Sequence, residues 1–389
     1  MQKKNIARAE NFGYTLLDRR SLMHRFIHKE EPDPNGYEVW SADLSNAPKD
    51  LLFSPVRMYF EVTNICNLRC KTCFNNSGQK RPDEMNTEQV LRTLDGFRRN
   101  NVMDIRFTGG EVTCRPDWFE ILRHAKDLGF AVSINTNGVY RNDETPENLA
   151  SLELEQITLS VDGDRQSHDM IRGDGNYERT VSSMQRLHDL GAHLRINTIL
   201  TRSSAESIPH ILDLASRYAE EINFFYMRLM GRALNLSDQI VPYEDLCRID
   251  EKIDGLRSRY PGLNILHGSK VMARTSVNAD LSKKFGLTIG GPEGFTRFNI
   301  LPDGSLWPGG YTPHIRPEFM LGNIISEGYD LLNIWRHSEK LASYRKISLE
   351  LQKTCSECDQ RATRCNGASM EMTFFKEKNP HIGNPYCAK

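Results

Sequence analysis

Between residues 56 and 227 short β-rich runs alternate with amphipathic stretches, and no other feature restricts the fold as strongly. The strand-like runs are 56–62, 104–108, 130–135, 156–161, 194–200 and 222–227. Between them, residues 87–99, 116–128, 177–190 and 205–219 repeat apolar side chains at helical spacing. End signals agree: Thr87 is placed to cap the first helix, Pro116 opens the second, and Gly129 and Gly191 stop the second and third. Strands that alternate with helices form parallel sheets, because a parallel neighbour is reached only through a crossover. The glycine-rich and polar motifs fall after the strands, at the end where barrel-like α/β folds carry their chemistry. From the residues alone the sheet is either open or a partial barrel.

At the end of the first strand stands Cys66-x3-Cys70-x2-Cys73, in FEVTNICNLRCKTCFN. Three closely spaced thiolates can hold three irons of a cubane cluster and leave the fourth without a protein ligand, whereas such clusters are usually closed by four cysteines. The alternative is a zinc knuckle. Zinc wants four ligands in a closed structural site, and the next Cys and His, Cys114 and His124, are distant in sequence. A second group ends the chain, Cys355-x2-Cys358-x6-Cys365-x21-Cys387. Its thiols are a complete set for zinc or for another iron–sulfur cluster.

The first cysteine set, with the aromatic Phe74 beside its last member, resembles the signature of the radical S-adenosylmethionine (radical SAM) enzymes. The resemblance implies a partial (β/α)6 barrel. It also implies that SAM chelates the open iron and is cleaved to a 5′-deoxyadenosyl radical, which takes a hydrogen atom from substrate. Thr108-Gly109-Gly110-Glu111 follows the second strand, where the family has its loop for the SAM amino group. The family usually has proline after this glutamate; here it is Val112. Ser160, with Asp162 as second choice, matches the polar residue that binds the SAM ribose, and Arg172 in HDMIRGDG the arginine that pairs with the SAM carboxylate. A guanidinium fork suits a carboxylate because it bonds through two N–H groups. For Asn135, Asn137 and Asp162, turn chemistry is an equal reading. Asn197 is either a lumen residue or a buried, satisfied amide.

From about residue 286 the order of IGGPEGFTRFNILPDGSLWPGGYTPH, LGNI, CxxC and a last cysteine resembles the SPASM/twitch domain of radical SAM enzymes. Two β-rich runs flank Pro302-Asp303-Gly304, which reads as a hairpin, and residues 329–345 read as a helix. A full SPASM domain holds two auxiliary [4Fe-4S] clusters. At the positions that match the first stand Gly290 or Gly291, Gly309 or Gly310, and Ser369. The resemblance therefore implies one auxiliary cluster, on Cys355, Cys358, Cys365 and Cys387. Some family members return a hydrogen atom from a cysteine thiol, which epimerises the substrate. Cys114 and Cys247 are the candidates here, although a free cysteine most often only packs.

The fold expected is thus α/β, a partial (β/α)6 barrel followed by a small SPASM/twitch-like α+β domain. The spans are an N-terminal extension (1–50), the barrel (51–235), a bridging region with a helix at 243–257 (236–285) and the auxiliary-cluster domain (286–389). Within the extension, FGYTLLDRRS and YEVWSADL read as a small hairpin or strap, structural or substrate-recruiting. The start MQKKNIARAENFGY lacks the apolar core of a secretory signal, and no apolar run is long enough to span a membrane. Nine cysteines in such a chain read as metal or catalytic thiols of a cytoplasmic protein. Lys plus Arg number 50 against 51 Asp plus Glu, with no basic stripe, so nucleic acid is not an expected partner. The expected activity is that of a radical SAM oxidoreductase whose auxiliary cluster removes an electron from the substrate radical. The substrate is a ribosomal peptide, or a small molecule such as a sugar or aminocyclitol. The short N-terminus weighs against a separate peptide-recognition domain. A reductant protein such as flavodoxin or ferredoxin is the implied partner. The other readings are an epimerase and a non-enzymatic iron–sulfur or zinc scaffold.

Overall fold

The computed structural model describes residues 4–31, 35–267, 284–354 and 370. Six parallel strands follow one another across a sheet in chain order: β5 (Arg57–Glu61), β6 (Asp104–Thr108), β7 (Ala131–Thr136), β8 (Gln156–Ser160), β9 (Leu194–Leu200) and β10 (Glu221–Tyr226). The order never reverses. With right-handed crossovers this puts every connecting helix on the same face, which is a partial (β/α)6 barrel and not a doubly wound sheet. Along each strand the side chains alternate. Met58, Phe60, Ile105, Phe107, Val132 and Ile134 are buried against the helices. At roughly 1.5–3 kcal/mol for each fully buried large apolar side chain, this face holds the barrel together. The alternate residues form a polar face.

Helix α1 (Thr87–Arg99) lies where its spacing places it, but its cap is Asn86, not Thr87. Asn86 and Gln89 bond each other's backbone N–H at 2.9 Å, a capping box. Thr87 instead donates to Asp117 at 2.6 Å. Helix α2 (Trp118–Asp127) starts two residues after Pro116. Two short helices were not expected from the sequence, α3 (Thr145–Ser151) and α4 (Arg165–Arg172). Helices α5 (Asn176–Asp189) and α6 (Ile208–Tyr218) complete the crossovers to β10. Beyond β10, α7 (Tyr243–Leu256) leads to β11 (Asn264–His267), parallel to β10. Among the described residues, no helix is long and apolar enough to cross a membrane.

The extension forms its own four-stranded sheet from β1 (Ile6–Glu10), β2 (Gly13–Leu17), β3 (His24–His28) and β4 (Glu38–Trp40), in the order β3-β2-β1-β4. β2 and β4, in the two segments read as a hairpin, do not pair with each other; both flank β1. The sheet covers the N-terminal end of the barrel. Arg8, fully buried, donates to the carbonyls of Ser54, Pro55 and Asn101, and Arg19 to those of Gly129 and Phe130.

The expected hairpin is present: β12 (Arg297–Ile300) and β13 (Ser305–Trp307) are antiparallel, and β14 (Gly322–Asn323) follows. β12 also pairs in parallel with β5, so one ten-stranded sheet runs across the expected boundary at 286. The single helix expected over 329–345 is two, Leu331–His337 and Glu339–Thr354, because Ser338 is extended (ψ 114°).

Candidate active site

The chain leaves β5 into the cysteine loop, and backbone bonds fix the loop at both ends. Cys66 N–H donates to Gly78 O at 3.2 Å and Gly78 N–H to Asn64 O at 2.8 Å. The Glu84 carboxylate takes Thr63 Oγ1 at 2.9 Å and Asn64 N–H at 2.8 Å. Arg232, beyond β10, reaches back: its Nε donates to Cys70 O at 2.8 Å and its N–H to Cys73 O at 3.0 Å. Neither Glu84 nor Arg232 stood out in the sequence, since a single charged residue far from the motif carries no signal of where it folds to.

The three cysteines are all half-buried, and the sulfurs of Cys66 and Cys70 face N–H groups. Cys66 Sγ accepts from Leu68 N–H at 3.4 Å and from Asn137 Nδ2 at 3.9 Å; Arg172 Nη1 lies 3.9 Å from Cys70 Sγ. Burial pushes the Cys66 thiol up to about 12, Leu68 N–H opposes this, and the neighbouring Glu111 and Cys70 add to it. Burial also raises Cys70, against the pull of Arg172. Such thiols give up their protons to a metal far more readily than to water. Among the described residues no three Cys, His, Asp or Glu side chains converge on one point, as a mononuclear zinc site requires. A cubane asks for something else, one thiolate on each of three irons, and three thiols on one clamped loop fit it.

The loop after β6 lies directly beneath. Gly110 N–H donates to Thr63 O and Glu111 N–H to Ile65 O, both at 2.8 Å. A Cβ on Gly110 would stand 2.2 Å from Ile65 O, and one on Gly109, whose φ is +138°, 2.4 Å from Thr63 O. Only glycine allows this approach. Glu111 is 1 % exposed and its oxygens are engaged, by Thr113 Oγ1 at 2.8 Å, Thr136 Oγ1 at 3.0 Å and Asn137 N–H at 2.7 Å. It ties the β6 and β7 loops together. In turn Asn137 Nδ2 reaches Asn67 Oδ1 at 2.8 Å while its Oδ1 accepts Val139 N–H at 2.8 Å, so Asn137 shapes its turn and also belongs to the cysteine loop's surroundings.

Helix α4 ends at Arg172, which delivers its guanidinium to the same place. Its Nε donates to Asp162 Oδ2 at 2.6 Å, and Asp162 Oδ1 accepts Ile199 N–H at 2.9 Å. Asp162 is fully buried and serves Arg172, which leaves Ser160, half-buried at the end of β8, as the other polar residue at this end of the strand, on the same face as Gln156 and Thr158. Phe74 packs edge-on to Tyr311 at 5.1 Å and to His314 at 5.8 Å, between the cysteine loop and the C-terminal region. Cys114 lies beside Asn67 and within the electrostatic reach of Cys66. The structure does not bring Cys247 to this group: it sits on α7, which packs Leu246, Ile249 and Ile253 into the outer core. Cys355, Cys358, Cys365, Cys387 and Ser369 lie outside the described residues.

Sequence reading missed the barrel's polar face. Arg57, Tyr59 and Glu61 of β5, Arg106 of β6 and Arg195 of β9 all turn to it. The signal was present, because strands of a parallel sheet covered on both faces ordinarily read as continuous apolar runs, and RMYFE, DIRFT and QITLS alternate instead.

Residues 60–215 match the model of the Radical SAM superfamily, and residues 292–359 that of an iron–sulfur cluster-binding domain, SPASM. The chain is 28% identical over 340 residues to the mycofactocin maturase MftC of Mycolicibacterium smegmatis, covering 87% of this chain and 84% of the relative. It is 28% identical over 333 residues to the AdoMet-dependent heme synthase of Nitratidesulfovibrio vulgaris, covering 80% and 89%. Among solved structures, Streptococcus suis SuiB bound to S-adenosylmethionine superposes with a TM-score of 0.69 at 18% identity, over 89% of this chain and 90% of that one. At that identity the likeness speaks to the fold.

Proposed function

From the premise that this chain belongs to the radical SAM superfamily and carries a SPASM domain, we propose that it is an oxidoreductase that modifies a peptide side chain. Its cofactors are those of the family: SAM, a [4Fe-4S] cluster and auxiliary iron–sulfur chemistry in the SPASM domain. Bound together, the cluster and SAM supply reductive SAM cleavage and abstraction of a substrate hydrogen atom. Cys66, Cys70 and Cys73 hold the cluster. Gly109 and Gly110 present backbone carbonyls to the SAM amino group, Glu111 fixes that loop, Ser160 faces the ribose and Arg172 the carboxylate. Phe74 shields the cluster on the C-terminal side. The observation that carries the reading is the clamped three-cysteine loop with the Arg172 guanidinium beside Cys70.

One auxiliary cluster, on Cys355, Cys358, Cys365 and Cys387, suits an electron acceptor and makes the net reaction an oxidation. The geometry around Gly290 supports the loss of a second. A Cβ there would meet the Phe295 ring at 2.9 Å, and Phe295 is 2 % exposed with the Arg345 guanidinium 6.0 Å from its centroid. A cysteine at Gly290 would press on that buried ring, while at Gly291, the other candidate position, a Cβ would meet Glu293 Oε2 at 3.2 Å. The similarity to a maturase and to a PqqA peptide cyclase favours peptide over sugar, and a flavodoxin or ferredoxin of the cytoplasm is the proposed reductant. Replacing Cys66, Cys70 and Cys73 together by Ala should abolish release of 5′-deoxyadenosine from SAM under reduction. Release at the wild-type rate would sink the proposal.

A further inference from the structure

The polar face of the barrel holds an unusual concentration of buried cations. Arg57, Arg195 and Arg297 each have a carboxylate partner, Asp104, Glu221 and Glu293 respectively. Arg106 has neutral ones, Ser133 Oγ at 3.2 Å and the Tyr59 hydroxyl at 3.3 Å, although Arg106 is 7% exposed. Among the described residues, Arg106 is thus the guanidinium of this layer with no carboxylate partner, and the remaining carboxylate of the face, Glu61, is held by Asn75 Nδ2 at 2.7 Å. The Tyr59 ring lies between two of the cations, 5.3 Å from Arg106 and 5.2 Å from Arg297. Burial drives its phenol up, but the charges of Arg106, Arg297, Arg57 and Arg195 outweigh that and bring it down to about 7.

The same face holds buried polar atoms without a hydrogen-bond partner: Arg195 Nε, Gln156 Oε1, Thr158 Oγ1 and Asn223 Oδ1. Their residues are between 1% and 6% exposed. Native interiors leave few such atoms unpaired, and a cluster of them beside a guanidinium that has no carboxylate partner describes a receptor for something polar and negative. Its position suits a substrate. Arg106 stands two residues before Thr108, which leads into Gly109, so it lies about 7 Å along the strand from that loop. At the far end the N-terminal sheet closes the barrel, with Leu22 O accepting from Arg57 Nη2 at 2.7 Å.

We propose that Arg106 and Arg195 bind an oxyanion of the substrate, a carboxylate or a phosphate, while Gln156, Thr158 and Asn223 bond the hydroxyl or amide groups next to it. The substrate enters from the cysteine side with its anionic end leading. This rests on the radical SAM reading for placing the substrate on this face of the sheet.

The test titrates the reconstituted holoenzyme, with SAM, against inorganic phosphate by 31P NMR and against 13C-labelled acetate by 13C NMR. Saturable binding of one of the two is expected, and which one identifies the oxyanion. R106Q and R195Q should each weaken it by about tenfold or more, the worth of a charge-assisted hydrogen bond, and R106K should retain most of it. Because R106Q removes a buried guanidinium that has no carboxylate partner, its melting temperature should not fall; a structural role would lower it. Saturable binding of neither anion by the wild type, or binding by R106Q equal to wild type, overturns the proposal. Reductive SAM cleavage by the same wild-type sample reads the other assignment separately. Cleavage without anion binding removes this inference alone, and anion binding without cleavage supports it while removing the radical reading.

Discussion

Breaking the Arg172–Asp162 pair should unfold the protein more readily than removing it altogether. Asp162 is fully buried, the Arg172 side chain is 10% exposed, and the bond between them is 2.6 Å long. At about 4 Å between charge centres and an effective dielectric of about 20, the attraction is roughly 4 kcal/mol. D162N keeps an acceptor for Ile199 N–H but leaves the guanidinium buried without its counter-charge. R172M leaves the carboxylate with one backbone donor. Each is expected to cost about 3–5 kcal/mol, the usual result of orphaning one member of a buried pair. The double variant D162L/R172M buries neither charge and should cost several kcal/mol less than the sum. Urea denaturation at pH 7, followed by tryptophan fluorescence, measures all four proteins, and equilibrium dialysis with labelled SAM tests the SAM contact proposed for Arg172. The double variant should recover stability without recovering SAM affinity. Single variants that each cost under about 1 kcal/mol and add in the double would refute the electrostatic argument. Wild-type SAM affinity in the double variant would show that Arg172 does not touch SAM.

Three further outcomes are expected. His168 is fully buried and its ring Nδ1 faces Asp162 N–H at 3.4 Å; burial first, then Arg172, lower it from 6.5 to about 4. The folded protein thus keeps this ring neutral while the unfolded chain takes up a proton, so stability is lost as pH falls from 6.5 towards 4. The loss from this group amounts to about 3 kcal/mol, and chemical denaturation of H168N should show a correspondingly shallower acid slope. Anaerobically reconstituted protein should bind about eight irons per chain, and the Cys66/Cys70/Cys73 variant about four; zinc in that variant, or about twelve irons in the wild type, would contradict the single auxiliary cluster. If the net reaction is an oxidation, Cys114→Ala and Cys247→Ala should each keep substrate turnover, and a variant that stalled while SAM cleavage continued would make epimerisation the better account.

The barrel was legible because its strands are short, apolar on alternate residues and spaced by helices that bury one stripe. Strands 104–108 and 194–200 fall where the pattern put them. Local chemistry explains the smaller misses. Asn86 outcompetes Thr87 as a cap because Gln89 stands three residues on to answer it. Helix α4 hides inside a polar motif, and its start is marked only by Asp164 bonding Ser167 N–H at 2.9 Å. What sequence reading could not supply was long-range. The pairing of β1 with β4 skips two strands, and Arg232 meets Cys70 from across the barrel. The motif places Glu111 in the loop matched to the SAM amino group, and it could not show that Thr136 and Asn137 of the next strand bond the same carboxylate and tie the two loops.

The pairing of β12 with β5 bears on how this protein can be handled in pieces. A barrel cut free at residue 285 would not simply lose a neighbour. Its first strand would become an edge, with the row of N–H and C=O groups that now meets residues 297–300 laid open. Open edges recruit other strands, and such a fragment should form aggregates or mispaired dimers. The strand laid bare is also the one that feeds the cysteine loop, so the damage would begin at the cluster. A transplant of the C-terminal module onto another barrel meets the mirror of this difficulty, since it needs a host whose first strand offers a matching register, with Arg57 opposite Arg297 and Phe60 opposite Ile300.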